Sequence, residues 1–233
     1  MNKGKNLILG LVICFSVFIG SQNAHSYHIL NDAFMSTYVF HRLPMMPVDF
    51  LIDMRPPTEE DGLAIAQDAC DEWDALPNIP DFCGTLTQDT TDITQANLDT
   101  ETGTADGVNN IVFDEDGSIL GNLGLTGVLG IGLTITDMSG NITDILIIIN
   151  GSIPSNFSTD LLATLVHEMG HTWGLAHTPI GGVTTFDPTP DGLDPIDPIA
   201  TPTMNPFNIP VNDQFGRTLE TDDIASALIL YGP

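Results

Sequence analysis

The sequence predicts an α+β domain, and three observations carry that prediction. Several stretches alternate apolar and polar residues or run continuously apolar over four to eight positions, the pattern of strands. Three others repeat their apolar residues at helical spacing and begin with capping residues. The helical stretch at 158–172 leads directly into His167-Glu168-Met169-Gly170-His171-Thr172-Trp173-Gly174-Leu175-Ala176-His177, and the other elements are arranged around it.

Residues 1–26 have the features of a secretory signal peptide. Lys3 and Lys5 form a basic start, Asn6 to Gly20 contains an apolar run, and Ala24-His25-Ser26 offers small residues for cleavage before Tyr27. The run is short for a membrane span. The remainder, 27–233, has the length of one domain, expected to be a monomer and to be exported to an extracellular or periplasmic location.

Val48, Phe50 and Ile52 alternate with Asp49 and Asp53, a strand that Pro56-Pro57 ends. Thr58-Glu59-Glu60-Asp61 fits a capping box and predicts a helix to about Leu76, with Ile65, Ala69, Trp73 and Leu76 on its buried face. Residues 84–108 are rich in Thr, Asp, Asn and Gly and are expected to be loops with one edge strand. Asn109 to Phe113 reads as a short strand, followed by the turn Asp114-Glu115-Asp116-Gly117. From Leu123 to Ile135 the leucines and isoleucines fall on odd positions, with mostly Gly and Thr between them. That period of two predicts one long strand over 119–136 with a single buried face. Ser139-Gly140 is a hairpin turn, and Ile145 to Ile149 is a strand covered on both faces. Ser158 or Thr159 caps the next helix, with Asp160 in its first turn and Leu161, Leu162, Leu165 and Met169 as its apolar stripe. The last segment, Thr221 to Tyr231, is an amphipathic helix that Gly232-Pro233 stops.

Composition narrows the partners. Both lysines lie in the leader, so Arg42, Arg55 and Arg217 are the only cations left against 31 acids, a formal charge of −28. Nucleic acid is excluded, since phosphate contacts need a basic surface. After removal of the leader no membrane association is expected. Asp187, Asp191, Asp194 and Asp197, and the turn at 114–116, are candidate calcium ligands or simply solvated carboxylates; both readings stay open. Cys70 and Cys83 are expected to form a disulfide in an exported chain, with two buried thiols as the alternative.

The eleven-residue motif reads HExxHxxGxxH. Residues four apart share a helix face, so His167 and His171 can reach one metal ion. Gly174 can leave the helix in a left-handed conformation, letting the chain return with His177 as a third ligand. Three imidazoles and one open position suit a catalytic zinc ion, whereas a structural zinc is closed by four protein ligands. Glu168 is placed to act on a water as general base without being a ligand.

This long motif is the metzincin signature. With PVDFLID, AIAQDACDEW and LETDDIASALILYG in the same order, most of residues 45–233 resembles the matrixin-like secreted metalloproteases. Thr203-Met204-Asn205-Pro206 is similar to the methionine turn of that family. The resemblance implies a metzincin-type zincin fold: a twisted, mostly parallel sheet, an active-site helix, and a small C-terminal subdomain below the cleft. It implies a zinc endopeptidase with metal ligands His167, His171 and His177, catalytic Glu168, Met204 beneath the metal, and a polypeptide substrate paired with a sheet edge. Three departures stand out. There is no cysteine-switch motif, Thr178 stands where serine is usual, and no tyrosine lies two residues after Met204. An exopeptidase, or a non-catalytic calcium-loaded surface or adhesion domain retaining a zinc site, are the alternatives.

Overall fold

The computed structural model describes residues 11–12, 43–44, 46–56, 59–94, 107–137, 139–152, 160–177, 203–204 and 217–233. Ten elements follow in chain order: β1 (Leu11–Val12), β2 (Val48–Ile52), α1 (Gly62–Asp74), β3 (Cys83–Gln88), β4 (Asn109–Asp114), α2 (Ser118–Asn122), β5 (Gly130–Thr136), β6 (Ile142–Asn150), α3 (Leu161–Thr172) and α4 (Thr221–Tyr231). The strands form one mixed sheet in the order β1-β5-β6-β4-β2-β3. The three pairs β2–β3, β2–β4 and β4–β6 are parallel, and β5 runs antiparallel to β6. The mostly parallel α+β architecture expected from the sequence is therefore present. Its sixth and longest strand, β6, is buried over most of its length, as its continuous apolar run required. Two residues of the leader-like segment, β1, pair antiparallel with Ile135 and Thr134 at the outer edge of β5.

Each face of the sheet carries its own core, divided by strand periodicity. Phe50, Ile52, Ile111, Phe113, Ile145, Ile147 and Ile149 point to the side covered by α1 and α3. Val112, Ile131 and Ile148 point to the other, which α2 closes with Ile119 and Leu120. On the first side α1 and α3 are pinned together. The indole of Trp73 donates to the carbonyl of Val166 at 3.1 Å, and Phe82 stacks on Trp173 at 4.8 Å. Cys70 on α1 and Cys83 on β3 are bridged, with Cα atoms 5.8 Å apart, which places the expected disulfide in the floor of this core.

Three local expectations are corrected. The stretch 119–136 is not one strand: its first part is α2, and only Gly130–Thr136 is extended. Asp114 decides this locally, because its carboxylate accepts the N–H groups of Ile119 (3.2 Å) and Leu120 (2.9 Å) and nucleates a turn of helix. Gly124 and Gly127, with φ of 76° and 88°, then break the chain before β5 begins. The helix expected from Thr58 begins at Gly62. Its cap is Asp61, which accepts from the N–H of Leu63 at 3.0 Å, after a turn closed by Glu59 N–H on the Pro56 carbonyl. Likewise Asp160 is itself the cap of α3, accepting from Ala163 N–H at 3.0 Å, and not a first-turn residue behind a serine or threonine cap.

Candidate metal centre

Helix α3 is fixed at both ends before its histidines matter. Asp160 caps its start and also pairs with Arg217, while Leu165, Val166 and Met169 are fully buried on its core side. At its other end the chain turns on Gly174 at φ 92°. Gly174 N–H bonds the His171 carbonyl and Leu175 N–H the Gly170 carbonyl, both at 3.0 Å. This is the left-handed helix termination expected from the motif. The reversal carries His177 back over the helix.

The three rings converge. His177 Nε2 lies 3.2 Å from His167 Nε2 and 3.0 Å from His171 Nε2. The second nitrogens fix the tautomers. His167 Nδ1 meets the Thr203 carbonyl at 2.5 Å and His171 Nδ1 meets the Leu175 carbonyl at 2.9 Å. A carbonyl can only accept, so both Nδ1 atoms carry the proton and both Nε2 lone pairs face inward. Burial holds the three imidazoles neutral. It depresses His167, it depresses His171 well below the usual range with the neighbouring imidazoles adding to it, and it brings His177 down to about 4.

The Nε2 lone pairs of His167 and His171 both face His177 Nε2, so one cation could be shared by all three rings. Nitrogen ligands at about 2.0–2.1 Å around a tetrahedral zinc stand roughly 3.3 Å apart, close to the spacings present here. The donor set therefore fits a metal ion, and His167, His171 and His177 could hold one.

Glu168 projects beside the triad towards β5 and is nearly buried. Desolvation pushes its carboxyl up to about 8, against the pull of the Gly132 N–H. The strand approaches this closely because alternate residues on its helix-facing side are glycines. A Cβ on Gly132 would stand 2.6 Å from the Glu168 carbonyl oxygen, and one on Gly130 would stand 2.9 Å from Glu168 Cγ. The small residues between the leucines and isoleucines are thus a second buried face, not a solvent face.

Below the triad, Met204 is 1% exposed and its sulfur packs under Gly170, where a side chain would collide with it. The turn that carries it hangs from α4. Asp223 accepts from the N–H groups of Thr203 (2.8 Å), Met204 (3.2 Å) and Glu220 (3.0 Å). Sequence reasoning missed Asp223 and the Thr203 carbonyl. The available signal was the pair Asp222-Asp223 in the first turn of α4, where a buried carboxylate must find donors.

Of the residues expected to bind calcium, Asp187 to Asp197 lie outside the described residues. Asp114 and Asp116 are engaged by nearby backbone N–H groups, those of Ile119 and Leu120 for Asp114 and that of Ser118 for Asp116.

Fold and site together define an α+β protein whose mixed sheet and histidine triad are consistent with a zincin-like fold. No protein-family model matches the chain, and no curated protein does. Among the described residues no helix is long and apolar enough to cross a membrane.

Proposed function

We propose that the chain is a secreted zinc-dependent endopeptidase of the metzincin type. The observation that carries this reading is the convergence of three histidine Nε2 atoms with a buried carboxyl, Glu168, one residue along the same helix as His167. His167, His171 and His177 would hold the metal. Zinc, when bound there, supplies a Lewis acid that polarises a peptide carbonyl and acidifies water.

The chain's own groups supply the rest. Glu168 takes the proton of the attacking water as the new C–O bond forms, and hands it to the amine nitrogen as the C–N bond breaks. A carboxyl pushed up to about 8 by burial has high proton affinity, which suits a group that must both take and release a proton near neutrality. A cation beside it favours the ionised form needed to begin. The close approach of Gly130 and Gly132 on β5 confines the Glu168 side chain on the strand side of the site. Thr203 and Leu175 keep the imidazoles of His167 and His171 in the metal-binding tautomer. The Met204 turn, resembling a methionine turn, supports the triad from below. With the leader removed, the β5 edge that β1 occupies would be open to an extended polypeptide adding as a strand beside the site.

Export is supported by the leader-like residues 1–26 and by the Cys70–Cys83 bridge. The test is incubation of the purified protein with an unstructured polypeptide and with a peptide blocked at both termini, with and without a chelator. Chelator-sensitive internal cleavage of both substrates is expected. Cleavage only from free ends would replace the reading with an exopeptidase, and no cleavage with zinc bound would overturn it.

A further inference from the structure

The hydroxyl of Tyr231, on the last turn of α4, joins three distant parts of the chain. It donates to the Trp173 carbonyl at 2.6 Å and accepts the Leu43 N–H at 3.1 Å. Trp173 is where α3 ends, and the last four carbonyls of a helix have no partner within it. The one that Tyr231 satisfies opens the turn 173–177. Two residues on, the Leu175 carbonyl orients His171, and two further on stands His177. The phenol ring is held in turn. Phe82 lies edge-on to it at 5.2 Å, and the same Phe82 stacks on the Trp173 indole.

We propose that Tyr231 is a positioning residue of the metal centre: its hydroxyl fixes the turn 173–177, and with it the direction of His177 Nε2 and the carbonyl that orients His171. The proposal rests on the reading of the triad as a metal site. The α3 helix ends two residues before its turn glycine; the Gly174 N–H ties one side of the Trp173–Gly174 peptide plane to the His171 carbonyl, while the carbonyl side must be held from outside the helix. A hydrogen bond from a ring locked in an aromatic stack holds it. Its loss would let the plane rotate and would misdirect one ligand and loosen the orientation of a second.

Tyr231→Phe removes one oxygen and keeps the ring against Phe82. In the full chain, the zinc dissociation constant would be measured by competition with a chromogenic chelator, beside the melting temperature of the metal-free protein. Removing a group that orients metal ligands costs about 10–100-fold in affinity. For Tyr231→Phe, one link further from the metal, about tenfold weaker zinc binding is expected. Asp53→Asn is the control. Asp53 is buried and accepts the N–H groups of Ile93 and Phe113, so its variant lowers the melting temperature with the turn intact. Its zinc affinity should stay within about twofold of wild type. Unchanged affinity in Tyr231→Phe overturns the proposal, as does an equal loss in both variants, which would make the effect one of general destabilisation. A wild-type protein that binds no zinc overturns the metal-site reading itself, and leaves Tyr231 nothing to position.

Discussion

Replacing Gly132 by alanine adds one methyl group where β5 meets α3. The new Cβ would stand 2.6 Å from the Glu168 carbonyl oxygen, 3.2 Å from His171 Cβ and 3.3 Å from Thr172 Cγ2. Non-bonded heavy atoms settle at about 3.5–4.0 Å, so strand and helix must part by on the order of 0.5–1 Å. The first of those neighbours is backbone within a helix and has no rotamer to yield. Overpacking of this kind costs about 1–3 kcal/mol. The stiffer unfolded chain returns about 0.4–1 kcal/mol. The net loss is about 1–2 kcal/mol, and at about 2–4 °C per kcal/mol for a domain of this size the melting temperature falls by about 2–8 °C. Gly121 is the comparison. It lies within the short helix α2, and its nearest neighbour would be Thr126 Cγ2 at 3.9 Å, so Gly121→Ala should be neutral or stabilising by up to about 1 kcal/mol. Thermal unfolding of the two variants beside wild type reads both signs. If Gly132→Ala melted at or above wild type, the close approach of β5 to Glu168 would be wrong, and with it the account of how the carboxyl is held.

The disulfide closes a short loop, so replacing Cys70 and Cys83 by serine should cost about 3 kcal/mol by the chain-entropy estimate; denaturant unfolding checks it, and an unchanged midpoint would refute it. Glu168 makes a pH prediction. Its folded carboxyl keeps its proton up to about 8, while the unfolded one releases it near 4.5. Between those values the folded metal-free protein binds more protons, so this group's contribution to stability falls as pH rises. Metal-free Glu168→Gln should therefore gain stability relative to wild type from about pH 4.5 towards 8, and a pH-independent difference would refute the burial argument. The charge of −28 after the leader predicts that calcium raises the melting temperature of a zinc-loaded, calcium-stripped sample at constant high sodium chloride. A flat titration would leave general screening as the only relief.

Much of the site was legible because its logic is local. The i, i+4 histidines, the left-handed Gly174 and the third histidine belong to one eleven-residue run, and helix geometry alone brings their nitrogens together. The strands Val48–Ile52 and Ile142–Asn150, the bridge Cys70–Cys83 and the final helix also follow from patterns within a few residues. What escaped depends on groups far apart in the chain. Asp223 is 20 residues from Thr203, and Tyr231 is 58 from Trp173. The first-turn pair Asp222-Asp223 signals a carboxylate in need of donors but not which distant turn supplies them, and nothing local marks the Tyr231 hydroxyl as bonded to Trp173. The segment 119–136 misled for a different reason. Ile119 and Leu120 are apolar in either conformation, and the deciding interaction comes from the Asp114 carboxylate on the preceding strand. The glycines of β5 keep the strand's period of two, but their small size records how close α3 comes and not exposure to water.

The most direct test of the account separates the metal ligands from Glu168 in one experiment. Zinc content by elemental analysis and cleavage of an unstructured polypeptide would be measured on wild type, Glu168→Gln and His171→Ala. The account predicts one zinc per chain and cleavage in wild type, one zinc with cleavage nearly abolished in Glu168→Gln, and loss of both in His171→Ala. Cleavage by Glu168→Gln at a rate near wild type would contradict it.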